Sequence, residues 1–152
     1  MFKTMRRADR QLSQEEAEAI LREGAAGTLS LAGNTYPYGV PMNYIVRENE
    51  IWMHGARADG DKDHRLGQDS RACFSVFTHI EGAKFKSAVA FGRIDAIDDD
   101  DAVAGLLEEV VEKYIPEAAW EHAKANIPAR APLTRAYRLT IEHLSGKVVD
   151  RP

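Results

Sequence analysis

The sequence is poor in features that mark several common classes of protein. Its 152 residues include one cysteine, Cys73, which excludes an intramolecular disulfide and a zinc site built from cysteines. Cys73 lies in an apolar run, so we expect it to pack in the core. No apolar run approaches membrane-spanning length, and the N-terminal charges have no apolar segment behind them. We therefore expect neither a membrane anchor nor a signal peptide, and a cytoplasmic location.

Positive charge and nucleotide-binding loops are scarce as well. The net charge is −4 and no basic stripe is visible, which argues against nucleic acid as a partner. Neither G-x-x-x-x-G-K-[ST] nor G-x-G-x-x-G occurs. What is present is an ordinary globular composition, 44% hydrophobic and 29% charged, in a chain long enough for a substantial core. We predict a single domain over residues 1–152.

The hydrophobic pattern predicts a mainly β protein with peripheral helices. Six segments are typical of strands, and they are residues 28–32, 37–47, 51–53, 71–78, 86–97 and 133–144. The first two are separated by the turn residues Gly33-Asn34, which indicates a hairpin, and Gly92 marks a bend or bulge in the fifth. Because successive strands follow without regular intervening helices, we predict a six-stranded antiparallel barrel.

Helix signals lie between these strands. A capping box from Ser13 to Glu16 opens a helix over residues 13–23 that ends at Gly24. Aspartates 98–101 precede a helical pattern that ends before Pro116; they suit either a metal or a helix cap, and the cap explains them better. The sequence predicts a further short helix over residues 117–125. A stiff connector between Pro128 and Pro132 is expected to follow it.

The chain is organised around residues 51–62, a short apolar run that ends at His54 and breaks into glycines and charges. We predict a strand, a loop, and a helix that Asp59 or Asp61 caps and that runs to about Gln68. Lys62 then lies in the first helical turn, where free N–H groups and the helix dipole favour an anion such as phosphate. A solvated, charged helix start explains the spacing equally simply.

Two other residues have a structural and a functional interpretation. His54 ends a strand, where a histidine is either a hydrogen-bonded structural residue or a catalyst. Pro41 cannot donate to a sheet ladder, so it marks an edge, a bulge, or a place where something other than a strand lies alongside. The free backbone groups of Pro41-Met42-Asn43 could then bind a flat heterocycle.

The order of several segments carries a family resemblance. They read PYGVPMNY at 37–44, IWMHGA at 51–56 with Gly60-x-Lys62, ACF at 72–74 and SAVAFG at 87–92. In this order they resemble the pyridoxamine 5′-phosphate oxidase-like FMN-binding split barrels, and among these the nitroimidazole-resistance branch. The Met-Arg-Arg opening and the closing IEHLSGK at 141–147 fit the same branch. The resemblance implies a split barrel and a homodimer with two flavins between the subunits.

The resemblance also assigns site residues by position. Val40, Pro41, Met42 and Asn43 line the isoalloxazine ring through backbone groups, and Gly55 and Ala56 lie by the ribityl-phosphate arm. Lys62 holds the phosphate, Ser87 approaches the ring, and His54 matches a histidine near the flavin. The chain departs from the related oxidases at Asp61, where an arginine is common, and at Ala56, where a hydroxyl residue is common. Arg57 could supply the missing charge.

The activity that this resemblance implies is an FMN-dependent reduction of a small, nitroaromatic substrate, with FAD as the alternative flavin and NAD(P)H as a candidate electron donor. His54 would donate a proton to the substrate or orient it. A true pyridoxamine phosphate oxidase is not expected, since its substrate-phosphate residues have no match. The alternative is a flavin or haem carrier or sensor without turnover, for which His54, His64, His79, His122 and His143 are the candidate axial ligands.

Overall fold

The computed structural model describes residues 2–33 and 35–150. Seven segments form strands: β1 (Gly27–Leu31), β2 (Tyr38–Met42), β3 (Ile45–Arg47), β4 (Glu50–Ala56), β5 (Arg71–Glu81), β6 (Lys84–Ile97) and β7 (Thr134–Val149). Five α-helices accompany them: α1 (Gln14–Glu23), α2 (Asp61–Gln68), α3 (Asp100–Tyr114), α4 (Trp120–Ala125) and α5 (Ile127–Arg130). All strand pairs are antiparallel, in the order β2-β1-β5-β6-β7-β4-β3. The mainly β fold with peripheral helices is confirmed.

The strand count differs from the prediction, because the described residues form seven strands in an open sheet. The predicted strand over residues 37–47 is two strands, β2 paired with β1 and β3 paired with β4. Between them, the backbone of Tyr44 bonds to side chains of α3: its N–H donates to Tyr114 Oη at 3.0 Å, and its carbonyl accepts from Lys113 Nζ at 2.9 Å. The chain therefore changes strand partner at Asn43-Tyr44.

Several local predictions are confirmed. Ser13 and Glu16 form the capping box of α1, and Gly24 follows its last residue. Asp99 caps α3 by accepting a hydrogen bond from the Ala102 N–H at 2.8 Å, as the helix-cap interpretation requires. The β1–β2 hairpin forms, although Asn34 of its predicted turn lies outside the described residues.

The predicted irregularity at Gly92 is a shift in register between β6 and β7. A Cβ on this residue would lie 2.0 Å from the carbonyl oxygen of Thr140, so the close approach of the two backbones requires glycine. The irregularity of β6 therefore lies at the glycine where the sequence predicted it.

The core has two parts, on opposite faces of the sheet. The larger fills the barrel and includes Leu29, Met53, Phe74 and Leu139, each fully buried. The smaller lies between β3–β4–β7 and the helices that follow β6, around Trp52. Cys73 belongs to neither: it is half-buried on the outer face of β5, because it alternates with the buried Ala72 and Phe74, so the prediction of core packing was wrong.

The segment between α3 and β7 is mostly helical. It contains α4, α5 and short 3₁₀ turns at Glu117–Ala119 and Ala131–Leu133, so the predicted connector between Pro128 and Pro132 is itself part helix. β7 continues to Val149, five residues past the predicted end at 144. None of the helices in residues 2–33 and 35–150 has the length and apolar character needed to cross a membrane.

Candidate functional site

Two strand edges lack strand partners near the segments that the family resemblance assigns to the site. β2 pairs with β1 on one side, and its other edge, which carries Val40, Pro41 and Met42, has no strand partner among the described residues. β4 pairs with β3 only through residues 50–52, so the same side of His54, Gly55 and Ala56 is also unpaired. Backbone groups on unpaired edges are available to a ligand. We call these two unpaired edges, of β2 and of the end of β4, the split.

Lys62 lies behind the β4 side of the split. It is in the first turn of α2, as predicted, and half-buried. A Cβ placed on Gly55 would lie 3.0 Å from Lys62 Nζ and 3.3 Å from Tyr137 Cε2, so the missing side chain is what lets the ammonium approach β4. The ammonium also lies 4.2 Å from the centre of the Tyr137 ring. Burial lowers the pKa of Lys62, and the charge of Asp63 partly opposes that shift.

The start of α2 is held by a charged clasp from β7. Asp63 accepts a hydrogen bond from Tyr137 Oη at 2.6 Å and one from Arg135 at 3.0 Å. Arg135 also bonds to Asp59 at 3.0 Å and to Asp98 at 2.8 Å. We call Arg135, Asp59, Asp63 and Asp98 the clasp. Because Asp63 follows Lys62 directly, the clasp fixes the helical turn that presents the ammonium.

The acidic neighbour of Lys62 is neutralised within the helix. Asp61 pairs with Arg65 at 2.8 Å, and Arg65 in turn donates to the carbonyl of Tyr36 at 2.9 Å. The departure at Asp61 therefore does not leave an uncompensated carboxylate beside the ammonium. Neither Asp59 nor Asp61 caps the helix as predicted: the N-cap is Gly60, whose N–H donates to Asp63 at 3.0 Å.

Arg57 is engaged elsewhere. Its guanidinium donates to Asp100 at 2.8 Å and to the carbonyls of Thr134 and Ala131 at 3.1 Å each, while its backbone N–H donates to Leu133 O at 2.9 Å. These bonds tie the end of β4 to α3 and to the start of β7. The structure thus gives Arg57 a role in joining elements at the end of β4.

His54 lies on the opposite face of β4 from Gly55 and Lys62, since side chains alternate along a strand. It lines a surface cavity of about 420 Å³ together with Gly55, Ala56, Arg130, Leu133 and Thr134. Its Nδ1 atom is buried without a hydrogen-bond partner in the described residues. Burial lowers the pKa of His54, and the charges of Arg130 and Lys62 lower it further, so the neutral ring is favoured at pH 7.

The remaining predicted residues lie on a separate groove. Pro41 and Ser87 line a cavity of about 640 Å³ on the outer face of the barrel, with Thr28, Ser75 and Phe77. Val40 and Met42 are partly buried against the barrel core, and Asn43 is exposed at the strand change. The ring-binding candidates therefore lie on β2 and at the strand change, the phosphate-arm candidates lie at the end of β4 and the start of α2, and Ser87 lies on β6.

The other histidines do not converge. His64 contacts Gln68 on α2, His79 contacts the carbonyl of Gly82 in the β5–β6 turn, and His122 lies on α4. His143 stacks on Phe2 at a centroid distance of 4.5 Å. In the described part of the chain, no three His, Cys, Asp or Glu side chains cluster as a metal site would require.

Sequence reasoning missed three residues of the site. Asp63 and Tyr137 orient Lys62, and Arg130 faces the cavity of His54. The alternation along β7 puts Arg135 and Tyr137 on the same face, but it does not indicate which element that face meets. Nothing local pointed to Arg130, which lies in the segment expected to be a connector.

Comparison with known proteins supplies a family for this arrangement. Residues 13–148 match the family described as pyridoxamine 5′-phosphate oxidase. This stretch includes all seven strands except the last residue of β7. Among curated proteins, none matches the sequence.

Solved structures share the fold. A flavocytochrome, Anf3, from Azotobacter vinelandii is 23% identical with a TM-score of 0.81, over 98% of this chain and 73% of that one. A FAD-binding protein from Mesorhizobium loti is 24% identical with a TM-score of 0.70, over 93% and 98%. A protein assigned to 5-nitroimidazole antibiotic resistance from Bacteroides thetaiotaomicron is 16% identical with a TM-score of 0.72, over 91% and 86%. The predicted split-barrel fold is confirmed.

Proposed function

The chain belongs to the pyridoxamine 5′-phosphate oxidase family, and from that membership we propose that it is a flavin-dependent oxidoreductase. It binds FMN in the split, between two copies of the chain, and reduces a small substrate that has access to His54. The 5-nitroimidazole resistance protein among its structural neighbours makes a nitroaromatic compound the first substrate to test. NAD(P)H is the candidate electron donor, and the cytoplasm is the proposed location.

The observation that carries this proposal is the ammonium of Lys62. It is half-buried, it forms no ion pair within the residues described, and the absence of a side chain at Gly55 leaves it next to the end of β4. Burying a charge without a partner is costly, so an anion is the expected partner. Hydrogen bonds between an ammonium and a phosphate are of the strong, charge-assisted kind.

The rest of the split suits the other parts of a flavin. The unpaired edge of β2 offers the backbone groups of Val40 to Asn43 to the polar rim of the ring, and Pro41 keeps another strand from pairing there. Gly55 and Ala56 leave room beside β4 for the ribityl arm. FAD is the alternative flavin, since a FAD-binding protein shares the fold.

A second copy of this chain is the proposed cover of the outer face. Phe77, which lines the groove of Pro41 and Ser87, is 64% exposed, and Ile80 on β5 and Phe91 on β6 are 48% and 37% exposed. A soluble monomer rarely exposes so many large apolar side chains in neighbouring positions. A dimer that buries this face would also enclose the outer side of β2, which lines the split.

The bound flavin would supply electron or hydride transfer. The chain's own residues bind and orient: Lys62 holds the phosphate, the β2 edge orients the ring, and His54 is the candidate proton donor to the substrate. Burial lowers the pKa of His54, so the ring is mainly neutral at pH 7, and an anion bound beside it would favour the protonated form that donates.

Titration of the purified protein with FMN tests the proposal. We expect quenched flavin fluorescence, a raised melting temperature and paired flavin bands in the visible spectrum, because a ligand that binds only the folded state stabilises it. FMN that changes neither the fluorescence nor the melting temperature would contradict the proposal. Bound flavin without reduction of any nitro compound would favour a carrier, and a Soret band would favour haem.

Sedimentation velocity tests the dimer. At micromolar concentration we expect a species of twice the mass of 16.9 kDa, with flavin absorbance in the same boundary. A flavin-loaded monomer would show that one copy completes the site alone. Phe77→Ser should weaken the dimer, while Ile115→Ser, which changes an exposed apolar residue after the end of α3, serves as the control.

A further inference from the structure

We propose that the cavity between His54 and Arg130 is a second anion-binding subsite, separate from that of Lys62, and that it accepts a carboxylate or a phosphate group. The subsite is inferred from the residues that line the cavity. The source of the anion rests on the proposed function, because the group belongs either to an anionic substrate or to the second phosphate of a dinucleotide flavin.

The cavity is distinct from the pocket of Lys62. Met53 is fully buried in the barrel, and the space beside Gly55 is taken by Lys62 and Tyr137. His54 projects from the other face of β4, like Trp52, which packs in the second core. Lys62 does not line the cavity. The end of β4 therefore separates two basic groups, and one small anion cannot occupy both positions.

The lining of the cavity is suited to negative charge. Its volume of about 420 Å³ falls in the range of small-molecule sites, roughly 300–1,000 Å³. None of its six lining residues carries a carboxylate. Leu133, which is 72% exposed, gives one apolar wall, and the Thr134 hydroxyl is engaged in donating to the carbonyl of Arg130 at 2.9 Å.

Arg130 lacks the partners that its neighbours have. Arg57 and Arg135 each bond to aspartates, at 2.8 Å to Asp100 and 2.8 Å to Asp98. Arg130 is exposed, and over residues 2–33 and 35–150 its side chain forms neither an ion pair nor a hydrogen bond with another residue. A guanidinium left unpaired beside a cavity is a preformed partner for a planar anion.

His54 provides the second donor. Its Nδ1 is buried without a partner, and a buried N–H without an acceptor is rarer than an unpaired acceptor. The proton is therefore favoured on Nε2. Because His54 lines the cavity and its Nδ1 is buried, we assign the Nε2 edge of the ring to the cavity. An anion in the cavity can then accept from Nε2–H and from Arg130 together.

NMR titration of the histidine ring tests the subsite without relying on flavin. We would record ring resonances of the full-length chain, with and without FMN, while adding inorganic phosphate. Phosphate should shift the His54 resonances and raise its pKa, because a bound anion stabilises the imidazolium. Arg130→Gln should abolish the response and Arg130→Lys should keep part of it. Arg22→Gln, a change on the distant helix α1, should leave it intact.

Two further measurements identify the source of the anion. If it is the second phosphate of a dinucleotide, Arg130→Gln weakens FAD by about tenfold and leaves FMN unchanged. If it is a substrate group, the variant keeps the FAD to FMN ratio. The FMN-loaded variant then prefers 4-nitrobenzoate over 4-nitrobenzyl alcohol about tenfold less strongly than the parent does, as measured by flavin fluorescence.

The outcomes against the proposal are separate from those against flavin binding. The subsite is overturned if phosphate does not shift the His54 resonances, even if FMN binds normally. It is also overturned if phosphate shifts them equally in the parent and in Arg130→Gln. A response to phosphate with both ligand preferences unchanged would overturn the assignment to a flavin or a substrate. Loss of FMN binding with an intact phosphate response would overturn the proposed function and leave the subsite.

Discussion

Four basic side chains surround the end of β4, and they fall into two pairs. Arg57 and Arg135 are bound by aspartates and join β4, α2, α3 and β7. Lys62 and Arg130 lie on opposite sides of the same strand without a carboxylate partner among the described residues. The first pair is explained by what it holds together. We attribute the second pair to bound ligands, because Lys62 is half-buried without an anion and Arg130 lines a cavity that has no carboxylate.

The comparison separates residues that stabilise the fold from those that bind. Removing a member of the bound pair leaves carboxylates without a partner and should reduce stability. Removing a member of the unpaired pair, or the histidine between them, should change binding or rate while the fold persists. Three changes test this division, from the largest expected effect to the smallest.

His54→Ala should have the largest effect, on rate. Proton transfer by a placed side chain contributes about 10²–10⁴-fold, so we expect that loss in NAD(P)H-dependent reduction of a nitroaromatic probe. The flavin spectrum and FMN affinity should remain near normal. Single-turnover mixing of the reduced protein with the probe would place the loss in the oxidative half-reaction.

The control is His122→Ala, which changes an exposed residue of α4 and should leave the rate unchanged. If the imidazole of His54 only holds the end of the strand, His54→Ala would instead lower stability and flavin affinity together, with little specific effect on rate. That result would move His54 to the structural group.

Arg135→Ala should have the largest effect on stability. The side chains of Arg135 and Asp63 are 14% and 12% exposed, so the loss leaves a buried carboxylate with fewer partners. We expect a decrease of about 2–3 kcal/mol in the free energy of unfolding, measured in urea. Arg71→Ala removes a surface pair with Asp69 and should cause no measurable change. Equal stability in both variants would show that the clasp does not hold α2.

Gly55→Ala should displace the ammonium while sparing the fold. The added Cβ would lie 3.0 Å from Lys62 Nζ, which is the end of a flexible chain and can move away. We expect FMN affinity to fall by about tenfold, as for one charge-assisted bond, and stability to change by less than about 1 kcal/mol. Gly67→Ala, where nothing lies within 4 Å of the added Cβ, is the control and should leave affinity unchanged.

Local signals predicted most of the fold. The capping box at Ser13 and the cap at Asp99 each depend on residues three positions apart, so both can be recognised in the sequence. The seventh strand could not be predicted in this way, because the break at Tyr44 is stabilised by Tyr114, 70 residues away. Cys73 could have been placed correctly, since it alternates with Ala72, Phe74 and Val76.

The site was predictable only in part. Lys62 follows from a strand, a glycine and a helix start close together in sequence. Its surroundings depend on Tyr137, which reaches it through strand pairing that no local pattern specifies. Arg130 reaches the cavity of His54 because a helical segment folds back onto β4. The family resemblance named the two sides of the split, and tertiary structure added the charges around them.

The most direct test of the account compares FMN with riboflavin, which lacks the phosphate, on the parent and on Lys62→Met. If Lys62 holds the phosphate, the variant should lose roughly 1.5–3 kcal/mol of FMN affinity, or about 10- to 150-fold, and keep its riboflavin affinity. Its free energy of unfolding should stay level or rise, because an unpaired, half-buried ammonium is replaced by an apolar side chain. Equal losses for both flavins, or no loss for either, would contradict the assignment of the phosphate to Lys62.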